Sequence, residues 1–359
     1  MSNLSLMATA VGSLPHNSVK EATDLIWKMF SECPFWPQLA QVSKLEDMII
    51  QYSEGMPGIF IEPENQIFGF NPELEDFCEK IEEFYTDYDE IVEQNNIEKL
   101  EKYAIKKPYS NAFEPFIENI KKHRPKYVKA QITGPFTWGT SVTDTDKKCI
   151  FYDETYRDIM VKHLSLKALW QIQKIKEASP DTTPIMFMDE PSMSQFGTSA
   201  FLTVQREDII DCFNSISQII KDAGGISAIH CCGKADWNTI LDTNIDIINF
   251  DAYNFSKNIS VFSGKVEKFI EKKGIMAWGI VPTLDIEGLE TSTRDKLIER
   301  LEKGFEYLVK KGINKELLLK QSIITPSCGA GCLNVELAVK AMNLTKEISE
   351  ELIAKYGVN

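Results

Sequence analysis

Short apolar runs alternate along the chain with longer stretches in which apolar residues return at helical spacing. The runs are Leu6–Val11, Phe35–Ala40, Tyr127–Thr133, Pro184–Met188, Gly225–Ile229, Ile245–Phe250, Gly274–Ile280 and Leu317–Ile324. Each is short and stops at turn residues, which predicts a strand. The stretches Glu154–Glu177, Arg206–Ala223, Ser292–Lys311 and Asn334–Tyr356 repeat with the period of a helix. Strand alternating with helix predicts a parallel sheet. Eight such units predict an α/β chain closed into a (β/α)8 TIM barrel instead of an open sheet.

No internal repeat, low-complexity tract or flexible linker interrupts the pattern, so residues 1–359 read as a single domain. Between the second and third runs lies an insertion over residues 55–126. Gly55–Phe70 is rich in glycine, proline and aromatic residues and reads as a hairpin-like excursion, whereas Asn71–Lys126 reads as mostly charged helix. Such an insertion covers an active-site mouth or forms a peripheral helical layer, and the sequence leaves both open.

Composition narrows the function classes. With 43% apolar and 26% charged residues the chain resembles ordinary globular proteins. Its 39 basic and 53 acidic residues give a formal charge of −14, so it has no general attraction for nucleic acid or an anionic membrane. No run approaches the roughly eighteen apolar residues of a membrane helix. Met1–Leu6 lacks the basic start and apolar run of a secretion signal, which places the protein in the cytoplasm. The eight cysteines are scattered or adjacent, unlike a disulfide framework; in a reducing compartment that points to metal binding or catalysis.

The chemically unusual residues gather just after the predicted strands. They are Gly12-Ser13-Leu14-Pro15-His16, Thr133-Gly134-Pro135, Asp189-Glu190-Pro191, His230-Cys231-Cys232-Gly233, Asp251, Pro282-Thr283 and Pro326-Ser327-Cys328-Gly329. In a barrel these points share the carboxyl-terminal rim, where barrel enzymes keep their chemistry. Residues two apart on extended chain face the same side, so His230 and Cys232 can serve one ion while Cys231 faces away. Cys328, from the last strand, reaches the same centre. One imidazole and two thiolates suit zinc, and three protein ligands leave the fourth position open, the catalytic arrangement. The bland alternative is three packed side chains, since free cysteine is among the most buried residue types.

Other rim residues carry two readings each. Asp189 orients a substrate amine, hydroxyl or cation, or else caps a helix. It points opposite to its neighbour Glu190. Ser13 follows a glycine and its backbone suits an anionic group, or it belongs to an ordinary turn before Pro15. His16 lines the mouth or sits in an exposed loop. Cys332 is a ligand, a redox partner or, by its helical spacing from Cys328, a packed residue in the first turn of the next helix.

Taken in order, these motifs resemble the superfamily of cobalamin-independent methionine synthase (its catalytic half), methylcobalamin:coenzyme M methyltransferase and uroporphyrinogen decarboxylase. The resemblance runs over nearly the whole chain, through Gly12-Ser13-Leu14-Pro15, Thr133-Gly134-Pro135-Phe136-Thr137, Met188-Asp189-Glu190-Pro191, His230-Cys231-Cys232-Gly233 and Pro326-Ser327-Cys328-Gly329. It implies Zn2+ on His230, Cys232 and Cys328, with Asp251 standing nearest to the glutamate that methionine synthases add as a ligand. It also implies that Ser13 and Asp189 bind the substrate. The expected activity is transfer of a methyl group from a corrinoid protein or a methylated pterin to a zinc-activated small thiol, with Asp189 in the catalytic set. The alternatives are zinc-free methyl transfer to a pterin, a uroporphyrinogen decarboxylase-like lyase, and a non-enzymatic module with a structural ion.

The chain also departs from these relatives. The seventh strand ends without the histidine of methionine synthases. Gln51 or Ile50 stands where their amine-binding glutamate falls. The first arginine is Arg124, so the carboxylate clamp of the decarboxylases is missing.

Overall fold

The computed structural model describes residues 4–62 and 67–357. Nine strands form. They are β1 (Met7–Ala8), β2 (Ile59–Glu62), β3 (Ile67–Phe70), β4 (Tyr127–Thr133), β5 (Thr183–Asp189), β6 (Ile226–Cys231), β7 (Ile247–Phe250), β8 (Ile275–Val281) and β9 (Ser322–Pro326). Seven of them make one curled parallel sheet in the order β1-β9-β8-β7-β6-β5-β4. Helices connect them, among them Glu154–Ala178 between β4 and β5, Arg206–Asp222 between β5 and β6, and Arg294–Val309 between β8 and β9. Among the described residues no helix is long and apolar enough to cross a membrane.

Register explains where the core and the polar residues sit. Paired residues across a ladder share a face. One row of partners reads Gln131, Phe187, Ala228, Ile247, Ile275, and the next row toward the strand ends reads Thr133, Asp189, His230, Asn249, Ala277. On this inner face Tyr127, Ile185, Phe187, Ala228, Ile247, Ile275, Ala277 and Ile323 form their own apolar cluster. The alternate residues, such as Val128, Met186, Ile229, Ile248 and Met276, pack outward into a separate core shared with the helices. The inner face therefore turns from apolar to polar toward the carboxyl ends of the strands.

Three expectations need correction. Phe35–Ala40 is not a regular strand. Its residues make isolated parallel bridges, Phe35 to Lys129 of β4 and Gln38 to Ser13 beyond β1. Trp36 N donates to Lys129 O at 2.9 Å, and Gln38 N to Gly12 O at 3.1 Å. Pro34 and Pro37 supply no N–H, so the segment spans the gap between the sheet edges without a continuous ladder. The last run divides in two. Lys315–Lys320 is helix, with Asn314 capping Leu317 N, and the strand begins at Ser322. His16 is buried, not exposed.

Within the insertion, β2 and β3 pair as an antiparallel hairpin, as the Gly/Pro/aromatic excursion predicts. Helices Phe77–Val92 and Phe113–His123 follow it. The acidic pair at the end of β5 splits. Glu190 turns into the interior and takes Phe136 N and Thr137 N at 2.8 Å each and Thr137 Oγ1 at 2.6 Å. It thereby satisfies the free donors at the start of helix Pro135–Ser141. Burial pushes this carboxyl up to about 8 against those three bonds. Replacing Glu190 with Gln sets an amide NH2 against a donor. Urea denaturation is expected to show a loss of about 2 kcal/mol. Unchanged stability would remove Glu190 from the account of why this helix sits where it does.

Candidate metal centre

His230 ends the inner-face row of β6, and Cys232 follows on extended chain, so both project to the same side. Cys231 between them is buried in the outer core. Cys328 lies just past β9, on a loop fixed by its neighbours. Thr283 Oγ1 accepts from Cys328 N at 3.1 Å and donates to Cys328 O at 3.0 Å. Ser327 N donates to Val281 O at 2.8 Å. One ligand atom each from His230, Cys232 and Cys328 lie within 4.8 Å of one another, so the three can hold one metal ion.

The loop after Cys328 folds over Ser13. Ala330 N donates to Ser13 O at 3.0 Å, and Gly331 N to Ser13 Oγ at 3.3 Å. A Cβ on Gly329 would collide with Ser13 Oγ, so only glycine lets the loop approach this closely. Ser13 thus braces the segment that carries a candidate ligand, in addition to facing the cavity.

The histidine is prepared for coordination. Asn249, its ladder partner, donates through Nδ2 to Ala277 O at 2.9 Å and to Thr325 Oγ1 at 2.8 Å. That fixes the amide so that Oδ1 faces His230 Nδ1 at 2.6 Å. An acceptor there places a proton on Nδ1, so in the neutral ring the lone pair is on Nε2. Nε2 is buried and has no hydrogen-bond partner among the described residues. A buried imidazole nitrogen without a partner is costly unless something binds it.

Charges in the cluster are coupled. The Cys328 thiol, acting as a hydrogen-bond donor, holds the Cys232 thiol well below its ordinary range, against the opposing effect of burial. The same bond, followed by burial, pushes Cys328 up. Burial lowers His230, but the Cys232 sulfur, Asp189 and Asn249 outweigh it and the net direction is up. The shared bond thus favours the thiolate at Cys232 over Cys328, and a thiolate is the form that ligates a metal ion.

A cavity of about 310 Å³ opens above the three residues. Val11, Met48 and Leu284 give it apolar walls, and Ser13, Gln38 and Asp189 bring polar groups. No lysine or arginine is among the residues that line it. Asp189 Oδ1 is buried without a partner among the described residues. Burial raises the Asp189 carboxyl, opposed by the Lys129 ammonium deeper in the sheet interior. Lys129 itself is pushed down to about 8 by burial, with Asp189 acting to raise it, and it donates to Val11 O and to Gln131 Oε1.

Asp251 stands apart from the three ligand atoms. It caps helix Ala252–Ile259, taking Asn254 N at 2.9 Å on Oδ1 and Asn254 Nδ2 at 2.8 Å on Oδ2. Cys332 is not in a helical turn, because the last helix starts only at Val335. It is exposed and lines the same cavity. Asn249, Lys129 and Gln38 are functional neighbours that motif reading misses. For the first two a signal exists: Asn249 is the one polar residue of an otherwise apolar strand, and Lys129 is a charged residue inside a strand whose neighbours are all uncharged.

No protein-family model and no curated protein matches the chain. Among solved structures it is similar to the catalytic domain of the GH26 endo-β-1,4-mannanase of Bacillus sp. JAMB-750. The identity is 12%, with 69% of this chain and 71% of that chain covered and a TM-score of 0.40. It is also similar to the carboxyl transferase domain of Rhizobium etli pyruvate carboxylase with pyruvate, at 9% identity over 65% of this chain and 41% of that one, with a TM-score of 0.24. Likeness at this level carries nothing about chemistry, which rests on the cavity residues themselves.

If Asn249 fixes the imidazole for coordination, Asn249→Leu should weaken cobalt(II) or zinc binding by about tenfold to a hundredfold in chelator competition. Equal affinity in both proteins would show that His230 needs no such partner.

Proposed function

We propose that the protein is a zinc-dependent methyltransferase that moves a methyl group to a small thiol, and that the bridged segment at Phe35–Gln38 takes the eighth place in a (β/α)8 barrel. The observation that carries the reading is the buried, unpartnered Nε2 of His230 facing two thiols at the floor of an apolar cavity. His230, Cys232 and Cys328 would hold the zinc, which would supply a Lewis acid that favours the thiolate form of the acceptor sulfur.

The chain's own residues account for the rest. Cys232 and Cys328 supply negative charge, and Asn249 keeps His230 in the coordinating tautomer. Val11, Met48 and Leu284 limit water around the reacting sulfur, which preserves its nucleophilicity. The net reaction exchanges the thiol proton for the methyl group: an S–C bond forms, the donor–methyl bond breaks with its electron pair leaving on the donor, and the proton passes to solvent from a corrinoid reaction or ends on the leaving nitrogen of a pterin. The donor is a corrinoid protein or a methylated pterin.

Asp189 limits the acceptor. A carboxyl group whose Oδ1 has no hydrogen-bond partner, in a cavity with no lysine or arginine among its described lining residues, suits a thiol bearing an ammonium group and disfavours a sulfonate. The same lining disfavours a porphyrinogen-type substrate, whose several carboxylates need cationic anchors. Asp251, engaged as a helix cap, is not required in the ligand set.

Protein purified without added zinc should contain about one zinc per chain by elemental analysis. X-ray absorption at the zinc edge should gain a sulfur ligand when a thiol is added. Cys328→Ala should lose the metal and the activity together. Full zinc occupancy in that variant, or a metal shell that no thiol changes, would sink the proposal. Separately, Asp189→Asn should retain zinc but lower kcat/KM for cysteamine about thirtyfold, with little effect on 2-mercaptoethanol. Equal losses for the two thiols would remove Asp189 from acceptor recognition.

A further inference from the structure

A second cavity, of about 440 Å³, lies between helix Ala252–Ile259 and helix Arg294–Val309. Lys257, Lys296, Arg300 and Lys303 line it, against one carboxylate, Glu299. This is unusual on a chain with 53 acidic and 39 basic residues. Glu299 is already committed to Lys303 at 2.6 Å. Lys257, Lys296 and Arg300 form no ion pair with a carboxylate among the described residues.

Arg300 is the informative member. Arg157, Arg206 and Arg294 are each ion-paired to an aspartate. Arg300 is instead clamped in place by a neutral partner. Its Nε donates to Tyr253 O at 2.7 Å, and its guanidinium lies 3.9 Å over the Tyr253 ring. Stacking plus one backbone bond fixes the planar fork while its two terminal nitrogens keep no carboxylate partner, which prepares it for two-point contact with an oxyanion. Lys257 and Lys296 supply mobile charge from the two facing helices. The volume exceeds what one inorganic oxyanion fills and falls within the range of small-molecule sites, roughly 300–1,000 Å³.

We propose that this groove binds a small polyanion carrying two or more phosphate or carboxylate groups, with Arg300 gripping one group and Lys257 and Lys296 a second. The stretch from Leu284 to Ser292 contributes Leu284 to the metal cavity and Gly288, Thr291 and Ser292 to the groove, so the two sites are neighbours on the chain. The inference rests on none of the metal chemistry. Another groove, of about 550 Å³, is also lined by lysines, with Lys221 and Lys265 ion-paired to Asp246 and Asp242 and Lys268 and Lys272 in no ion pair among the described residues; no arginine is among its lining residues, which makes it a control for lysine charge without the guanidinium fork.

The test is isothermal titration calorimetry of the full chain with tripolyphosphate and, separately, with tricarballylate, at low and at moderate salt. Binding that weakens with salt is expected. Its dissociation constant should rise about tenfold in Arg300→Ala and in the double variant Lys257→Ala/Lys296→Ala, and stay unchanged in Lys268→Ala/Lys272→Ala. The double lysine variant alters only exposed side chains and guards against a folding defect in the arginine variant. A preference for tripolyphosphate identifies a phosphate ligand, a preference for tricarballylate a carboxylate one, and comparable binding the shared oxyanion chemistry. No binding of either probe at millimolar concentration, or an affinity that the double lysine variant leaves unchanged, overturns the proposal.

Discussion

The parallel register running from β4 to β8 is the constraint from which the candidate site follows. Because ladder partners share a face, Thr133, Asp189, His230 and Asn249 stand side by side on the inner surface of four neighbouring strands. A slip of one residue in any ladder would send a polar member of that row into the outer core and bring an isoleucine or methionine inward. The outer core, filled with large apolar side chains packed against helices, resists such a slip. Hydrophobic packing outside the sheet thus fixes the position of polar groups inside it.

The interior is graded, and the gradient sets the electrostatics. Apolar residues close the amino-terminal half of the inner face, so charges toward the other end are poorly solvated and respond strongly to one another. Lys129 sits below Asp189 and offsets part of the burial that works against its ionisation. Above them, the bond between the two sulfurs lowers the Cys232 thiol and raises that of Cys328. Asn249 adds direction without adding charge, since its amide is pinned by two acceptors and can offer the histidine only its oxygen.

Much of this was legible in the sequence, for identifiable reasons. Strands such as Tyr127–Thr133 stand out because both their faces are covered, and His230 and Cys232 fall on one face by the two-residue period alone. The structure brings Cys328 to them because its strand ends on the same rim. The less legible parts are those in which local pattern underdetermines tertiary contact. Phe35–Ala40 has a strand's composition, but Pro37 within it and Pro34 before it deny it a ladder. The apolar run at Leu317–Ile324 belongs half to a helix capped by Asn314. Cys332 has helical spacing from Cys328, yet the loop that meets Ser13 delays the helix until Val335. The second acidic residue of the pair at Asp189 and Glu190 serves a helix that precedes it in the chain, a partner no local motif announces.

The contact between Ser13 and the loop at Gly329–Gly331 joins residues 318 positions apart, from Ser13 to Gly331. β1 pairs with β9 across a similar distance along the chain. During synthesis, therefore, His230 and Cys232 emerge well before the segment that completes their set, and that segment is shaped by Ser13, made earlier than either. Such long-range closure is slow compared with local helix formation. The cluster is among the last features to acquire its final form. An ion that needed all three side chains would bind only after Cys328 had docked beside the other two, so its uptake would serve as a timestamp for the closure of this sheet.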